Sequence, residues 1–343
     1  MRVAVVIVNY RTPQMVLSCL EALGKERARL PSLEAVVVDN ASGDDSVSIL
    51  STRIAQAPFA EWVGFQSLPL NGGFGWGNNE AILSLLARTT PPDAIMLLNP
   101  DTVVEPGAVV ALVEELKRRP DAGAIGSQLV NPDGSLAGSS FRFPTVGREF
   151  VRGLGIGGVG RLLRIKPVLI DFGERGPIDW VTGASVLLRT QALRDAGLFD
   201  TGFFLYFEEV ELMRRFARHG WRSYHCPESR VLHAAGASTG VVDGQLKGDR
   251  PPPDYIFHSR HRYFALSSGG RFRALLADVA WLIGNMAARA TGAFSESRGA
   301  ASSRAERASL FRIGLGARPL DGISAVTRAG DPPGCPPFWM KNS

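Results

Sequence analysis

Three cysteines in 343 residues are few, and Cys19, Cys226 and Cys335 stand far apart. An odd, scattered set makes neither a disulfide framework nor a metal-type spacing, which suits a reducing compartment and points to a cytoplasmic protein. Long apolar runs are missing too, and no stretch has the length and purity of a membrane-spanning helix. The opening Met1-Arg-Val-Ala-Val-Val-Ile-Val-Asn9 is too short for a signal-peptide layout and lacks a small-residue cleavage site, so it reads as a first strand. No Lys/Arg block is present, so nucleic acid is not favoured as a partner. The net charge of +5 suits an anionic membrane surface or a phosphorylated substrate instead. A 45% hydrophobic and 21% charged composition is ordinary for a globular protein. The length allows one large domain, or one domain with an appendage.

Apolar, β-branched runs alternate with helical patterns through the first third. Val3 to Val8, Leu33 to Val38, Glu61 to Leu68 and Ala94 to Leu98 read as strands, and Ala122 to Ser127 as a short one. Helices follow Pro13, Asp44 or Asp45, and Glu80, with another over Glu105 to Arg119. This alternation predicts an α/β fold with a parallel sheet. Thr12 is placed to cap the first helix, with Pro13 at its first position. Farther on, Ile178 to Leu188 reads as strand-turn-strand, Thr190 to Ala196 as a short helix, and Arg222 to Pro227 as a strand. Arg230 to His233 then leads to Gly236 and Ser238, and Pro251 to Pro253 marks a linker. Gly155, Gly157 and Gly160 spell Gly-x-Gly-x-x-Gly, but no β-branched strand precedes them, so a dinucleotide site is rejected.

The chain is organised around Ala94-Ile-Met-Leu-Leu-Asn-Pro-Asp-Thr-Val103. Pro100 cannot join a ladder, so Asp101 is left at the carboxyl end of a buried strand. Ligands bind at that edge of open α/β sheets, and a carboxylate there can hold a hard cation. The plainer reading is a turn after a strand. Asp39 closes a neighbouring strand. It can accept an imide N–H from a pyrimidine base, or form an Asx-turn. Asn9, Tyr10 and Arg11 close the first strand beside it and can frame a base. The glycines between Asn71 and Asn79 let backbone approach a ligand, with N–H groups facing phosphate at a helix start. A flexible surface loop is the alternative. The aromatic approach Phe203-Phe-Leu-Tyr-Phe207 runs into Glu208, Glu209 and Glu211, either a candidate catalytic base or acids favoured by a helix N-terminus.

Taken in order, these pieces resemble family 2 glycosyltransferases of the GT-A fold, and more closely the bacterial rhamnosyltransferase group. The resemblance rests on Val6-Ile-Val-Asn-Tyr10, Val37-Val-Asp-Asn-Ala-Ser42, Asn71 with Gly73-Phe-Gly-Trp-Gly-Asn-Asn79, and Leu97-Leu-Asn-Pro-Asp101. It continues through Trp180, Gly183-Ala184, Gly197-Leu-Phe-Asp200, Phe203-Phe204, Glu208-Glu209 and His233. Each piece alone is weak; the ordered set, over about residues 3–240, is specific.

The resemblance implies inverting transfer of a sugar from a nucleotide diphosphosugar, with L-rhamnose from dTDP-rhamnose as the expected donor. The expected acceptor is a saccharide or lipid-linked saccharide in cell-wall or surface-polysaccharide assembly. It implies a donor site from Asn9, Tyr10, Arg11, Asp39, Asn71, Gly73, Phe74, Asn78, Asn99 and Asp101. Asp101 is the surviving carboxylate of the family's metal motif, with Asn99 in place of its first acid. His233 is the second expected ligand of a Mg²⁺ or Mn²⁺ ion. Glu209 stands where relatives commonly carry an aspartate base, so the departure falls on the key residue. Trp180, Gly183, Asp200, Glu208 and Glu211 are expected at the sugar and acceptor site. Arg214, Arg215 and Arg218 can hold a diphosphate or form a solvated face.

The expected organisation is a GT-A catalytic domain over 1–250, with a nucleotide-binding half at 1–130 and an acceptor half at 131–250. A helical extension at 251–294 and a flexible tail at 295–343 follow. Basic residues flank an apolar helix at 271–290, which suits the inner face of the plasma membrane. Packing on the catalytic domain or in a homodimer suits it equally. Other readings are a UDP-sugar donor such as UDP-galactofuranose, a non-catalytic glycan-binding relative, and a nucleotidyltransferase. The last should carry a glycine- and arginine-rich loop after its first strand, and Asn9 to Pro13 is not one.

Overall fold

In the computed structural model, all residues are described except 156, 171–175, 235–240, 243–244, 247–252, 268, 291–299, 316–320 and 343. Gly236, Ser238, most of the 251–253 linker and the start of the expected tail thus lie outside the described residues. The first half runs β1 (Val3–Asn9), α1 (Pro13–Glu26), β2 (Leu33–Asp39), α2 (Ser46–Ile54), β3 (Val63–Ser67), α3 (Phe74–Leu86), β4 (Ala94–Leu98), β5 (Thr102–Val104), α4 (Ala108–Arg118) and β6 (Ala122–Val130). Then come β7 (Ser140–Phe141), α5 (Val146–Leu154), α6 (Gly157–Leu162), β8 (Pro177–Ile178), β9 (Trp180–Val181), β10 (Ser185–Arg189), α7 (Thr190–Ala196), α8 (Glu208–Arg218) and β11 (Arg222–His233). The remainder is β12 (Val241–Val242), β13 (Gln245–Leu246), α9 (Asp254–Ala265), α10 (Gly270–Ala290), α11 (Ala300–Leu315) and a 3₁₀ turn at Phe338–Asn342.

The main sheet has the order β3-β2-β1-β4-β10-β6-β11-β5, with β8 also on β11. β1, β2, β3 and β4 pair in parallel, and β6 pairs in parallel with β11. β10 runs antiparallel between β4 and β6, so the sheet is mixed. Alternate side chains of β1 feed the two faces. Val3, Val5 and Ile7 join α1, α2 and α4 in one core, while Ala4 and Val6 join α3, α7 and α8 in the other. Burial on both faces explains why these strands read as unbroken apolar runs.

β5 was not foreseen. Pro100 does end β4, but the chain re-enters the sheet two residues later, pairing Thr102 with His233 and Val104 with Val231 of β11. That return holds Asp101 between two strands. Thr12 stands before α1, with Pro13 in the first turn. Its hydroxyl donates to Asn9 Oδ1 at 3.1 Å rather than capping the helix. Of the rejected glycine motif, Gly155 is the left-handed cap that ends α5 (φ +64°).

The C-terminal helices rest on α5. Gly153 of α5 faces the Trp281 carbonyl and Gly284 of α10 faces the Phe150 carbonyl, each so close that a Cβ would lie 2.2 or 2.3 Å from the oxygen. Two backbones can approach that closely only where side chains are absent. Buried ion pairs add to the apolar packing of this contact. Arg260 of α9 bonds both Glu149 (2.8 Å) and Asp278, and Arg152 bonds Glu149 and Glu306.

Residues 321–342, expected in the tail, pack against the sheet side of the molecule. Leu198 and Thr201 donate backbone N–H groups to the Thr327 and Ala325 carbonyls. Trp76 Nε1 donates to the Cys335 carbonyl (2.8 Å), and Trp339 Nε1 to the Gly72 carbonyl (2.9 Å). The small, proline-rich composition gives this segment no periodic face of its own. It is held by partners more than a hundred residues upstream.

Candidate active site at the carboxyl edge

β1 and β2 end side by side, with Asn9 opposite Asp39 in register. Both are fully buried. Asn9 Nδ2 donates to Asp39 Oδ1 (2.7 Å), as does the Ser42 hydroxyl (2.6 Å), and the Ser42 N–H donates to Oδ2 (3.0 Å). Asp39 thus closes a tight turn through Ser42, which the sequence quoted only as part of a motif. One acceptor position on Oδ2 is left. Tyr10 is half-buried and Arg11 exposed, with the guanidinium 5.1 Å from the Tyr10 ring centre. Arg11 has φ +59° and is held by Ser42, its Nε donating to the Ser42 carbonyl (2.8 Å).

The glycine loop differs from expectation. The N–H groups of Gly72, Gly73 and Phe74 already have acceptors: Asn40 Oδ1, Asn71 Oδ1 and the Phe204 carbonyl. A Cβ on Gly72 would meet the Trp76 ring at 2.2 Å. On Gly73 (φ +89°) it would meet the Phe204 carbonyl oxygen at 1.9 Å. These glycines therefore admit the protein's own groups, not ligand. Asn40 Nδ2 ties the loop to β2 through Asn71 Oδ1 (2.9 Å). Asn78 is buried, donating to the Phe74 carbonyl. Of this stretch Asn71 and Phe74 keep partly open side chains.

At the end of β4, the Asn99 N–H donates to the Ala184 carbonyl (2.9 Å), fixing the Gly183-Ala184 turn against that edge. Asp101 Oδ1 lies 3.4 Å from His233 Nε2. The two expected metal ligands, 132 residues apart in sequence, are brought together because β5 and β11 pair. No group of three or more His, Cys, Asp or Glu side chains suited to a metal occurs among the described residues. A Mg²⁺-type ion held by one carboxylate with substrate phosphates and water fits such a sparse donor set.

Glu208 and Glu209 open α8, where acids suit the helix dipole. Just before them Tyr206 and Phe207 both have φ +68°, a left-handed conformation costing about 1–3 kcal/mol per residue. Tyr206 stacks on Tyr255, and Phe207 lies 5.6 Å from Tyr263, ring centre to ring centre. Glu208 and Glu209 each keep one buried carboxylate oxygen without a hydrogen-bond partner. Burial pushes the Glu209 carboxyl up to about 7. Burial, and then the neighbouring Glu209 charge, raises Glu208 well above the usual carboxylate range. Gly183 lies beside both Phe74 and Glu209, a Cβ there falling 3.2 Å from the Phe74 ring and 3.9 Å from Glu209 Cβ. Glu209, Gly183, Phe74 and the end of β4 thus form one neighbourhood.

Three expected acceptor residues stand elsewhere. Asp200 is fully buried, with Oδ1 bonded to Arg262 (2.6 Å) and Oδ2 to the Ala325 N–H (2.8 Å). A buried carboxylate needs such partners, and this one holds the C-terminal segment. Glu211 is paired with buried Arg215 (2.7 Å), which also caps α7 through the Ala196, Gly197 and Leu198 carbonyls. Arg215 therefore neither faces solvent nor waits for a diphosphate. Trp180 stacks on Phe141 at 4.2 Å and donates to the Arg142 carbonyl. Arg218 is exposed, and Arg214 lies against the Tyr263 ring, 4.6 Å from its centre. Trp339 is the residue that motif reading missed, since no local pattern links it to Gly72.

Residues 4–172 match the family described as glycosyl transferase family 2. Among curated proteins, N-acetylglucosaminyl-diphospho-decaprenol L-rhamnosyltransferase of Mycobacterium tuberculosis is 28% identical over 244 residues, covering 66% of this chain and 74% of that protein. Rhamnosyltransferase WbbL of Escherichia coli is 24% identical over 165 residues, 48% of this chain and 61% of the relative. Among solved structures, the mannosyltransferase PcManGT from Pyrobaculum calidifontis, in complex with GDP-Man and Mn²⁺, aligns with a TM-score of 0.55 at 14% identity. That alignment covers 92% of this chain and 87% of the other. GalNAc-T7 with UDP, GalNAc and Mn²⁺ aligns at 0.57 and 13% identity, covering 92% and 56%. These likenesses place the fold among the GT-A glycosyltransferases. Fold, motif order and sequence matches converge: residues 4–172 carry a glycosyl transferase family 2 region, and the chain is similar to bacterial rhamnosyltransferases.

Proposed function

We propose that the chain is an inverting, metal-dependent rhamnosyltransferase, taking L-rhamnose from dTDP-rhamnose to a lipid-linked saccharide on the cytoplasmic face of a membrane. The observation that carries this reading is the half-buried Glu209 with its unpartnered oxygen beside Gly183 and Phe74. An acceptor hydroxyl in that neighbourhood gives its proton to Glu209. Its oxygen then bonds the anomeric carbon as the bond from that carbon to the diphosphate oxygen breaks, and the nucleotide diphosphate leaves. Asn9 and Ser42 orient the Asp39 carboxylate, whose remaining acceptor position suits a pyrimidine N–H, and Tyr10 flanks it. Asp101 and His233 would hold a Mg²⁺ or Mn²⁺ ion, which when bound supplies positive charge against the leaving diphosphate. The donor and acceptor are supported by the names of the curated relatives.

The test is release of nucleotide diphosphate from a panel of dTDP- and UDP-sugars with Mg²⁺ or Mn²⁺, alongside calorimetric binding. Metal-dependent turnover of dTDP-rhamnose is expected. Turnover of UDP-galactofuranose alone would replace the donor, and absence of binding to every donor would overturn the site. Binding without turnover, persisting with lipid-linked saccharide acceptors, would favour a non-catalytic glycan-binding protein.

A further inference from the structure

α10 carries apolar residues on both faces: Ala274, Ala277, Trp281 and Ala288 point inward into apolar packing, and a second apolar set points outward. Its inward face carries Asp278 and Asn285, both buried. Asp278 pairs with Arg260, and Asn285 Oδ1 accepts from Arg307 (2.8 Å). Its outward face carries Phe272, Leu275, Leu276, Val279, Ile283 and Met286, each between 40% and 68% exposed. From 272 to 286 every exposed position of this helix is apolar. A surface helix of a globular protein normally turns a polar face outward. The spacing 272, 275, 276, 279, 283, 286 is one helical stripe, running roughly 20 Å at 1.5 Å per residue. Exposed Arg271 and Arg289 stand at its two ends.

A second exposed apolar element is seated on α5, the helix that α10 packs against. α6 and the turn after it present Arg161, Leu162, Leu163, Arg164 and Lys166, all exposed, with Leu162 at 82%. Gly160 and Ile165 seat this tip on α5, where a Cβ on Gly160 would lie 3.1 Å from Val151 and one on Gly147 3.3 Å from Ile165. Two adjacent bare leucines among three cations match no interior role.

No helix among the described residues is long and apolar enough to cross a membrane. The stripe is therefore suited to lying in an interface rather than spanning one. We infer that the α10 stripe and the Arg161–Lys166 tip dock the protein on an anionic lipid bilayer. The apolar side chains enter the acyl boundary and the flanking cations meet lipid phosphates. Charge selects this occupant over a second copy of the chain, because two copies face to face would bring like-charged arginines together. The inference deepens the lipid-linked acceptor reading, since it supplies the surface on which such an acceptor is presented.

The experiment is flotation of the full chain with vesicles of phosphatidylglycerol and phosphatidylcholine against phosphatidylcholine alone, without donor or acceptor. Partitioning onto the anionic vesicles is expected, weakening as salt rises from 0.1 to 1 M. Ile283→Glu with Met286→Glu, both on the outward face, should lower the bound fraction about tenfold or more. Leu162→Glu with Arg164→Glu should do so independently, while all variants keep solution donor turnover. Failure of the parent chain to float, or variants that float as it does, would overturn the proposal. So would light scattering that gives a dimer which the same substitutions dissociate. Because no donor is present, the outcome stands whether or not the transferase reading holds.

Discussion

A carboxylate that must accept a proton works best with a pKa near the pH at which it acts. Glu209, pushed by burial to about 7, meets that condition where an exposed glutamate would not. Transfer should therefore fall as pH drops below about 7, because the base becomes protonated. Glu209→Gln should lower turnover by about 10²–10⁴-fold while calorimetry still detects donor. The same burial has the opposite effect on stability. A raised carboxyl pKa gives stability that is full below the ordinary value and lost as pH rises through the folded one. Glu209→Gln, which imitates the protonated form, should thus melt at a higher temperature than the parent at pH 8. Asp101→Asn should weaken metal-dependent donor binding without changing the melting temperature by more than a few degrees, read by calorimetry with and without a chelator. The positions of Asp39, Asp101 and Glu209 at element boundaries were legible in the sequence, because each closes or opens a strand or helix there. Asp200 and Glu211 were misread there. Proximity in sequence to an acid cluster does not say which carboxylates face inward, and Arg262 and Arg215 decide that from other elements.

At the scale of elements, β1 to β4 were readable because strands buried on both faces must be apolar throughout. β5 and residues 321–342 were not, since distant partners fix where they lie. The glycine loop shows the consequence. It is clamped between the Phe204 carbonyl, which accepts from Phe74, and Trp339, which donates to Gly72 while its ring meets Phe204 edge-on at 5.2 Å. Trp339→Phe removes one hydrogen bond and should cost about 1 kcal/mol by denaturant unfolding. Trp339→Ala also removes the ring contact and should cost about 3–5 kcal/mol. If the loop frames donor, both should raise the KM for donor more than they lower kcat. Equal loss of both constants would leave Trp339 with a purely structural role.

Across the whole molecule, polar contacts unite regions that the sequence divided into domain, extension and tail. Burial alone would raise the Glu149 carboxyl, but the Arg152 and Arg260 guanidiniums outweigh it and hold the group below the usual range. Its contribution is present above the unfolded carboxylate pKa and is lost as pH falls through the lower folded value. Glu149→Gln should cost about 1.5–3 kcal/mol at pH 7, because Arg260 loses one of its two carboxylate partners and keeps Asp278. That difference should narrow in acid unfolding as the parent's own Glu149 becomes protonated. The clamp on Gly72 bears on how the protein is made. Every motif that carries the family resemblance lies before residue 240, yet the Gly72 carbonyl waits for a tryptophan 267 residues later. During synthesis the sheet and its acids can assemble while the distal chain is still inside the ribosome. The last constraint on the loop is added only when residue 339 emerges, so the loop is fixed long after the strands it joins.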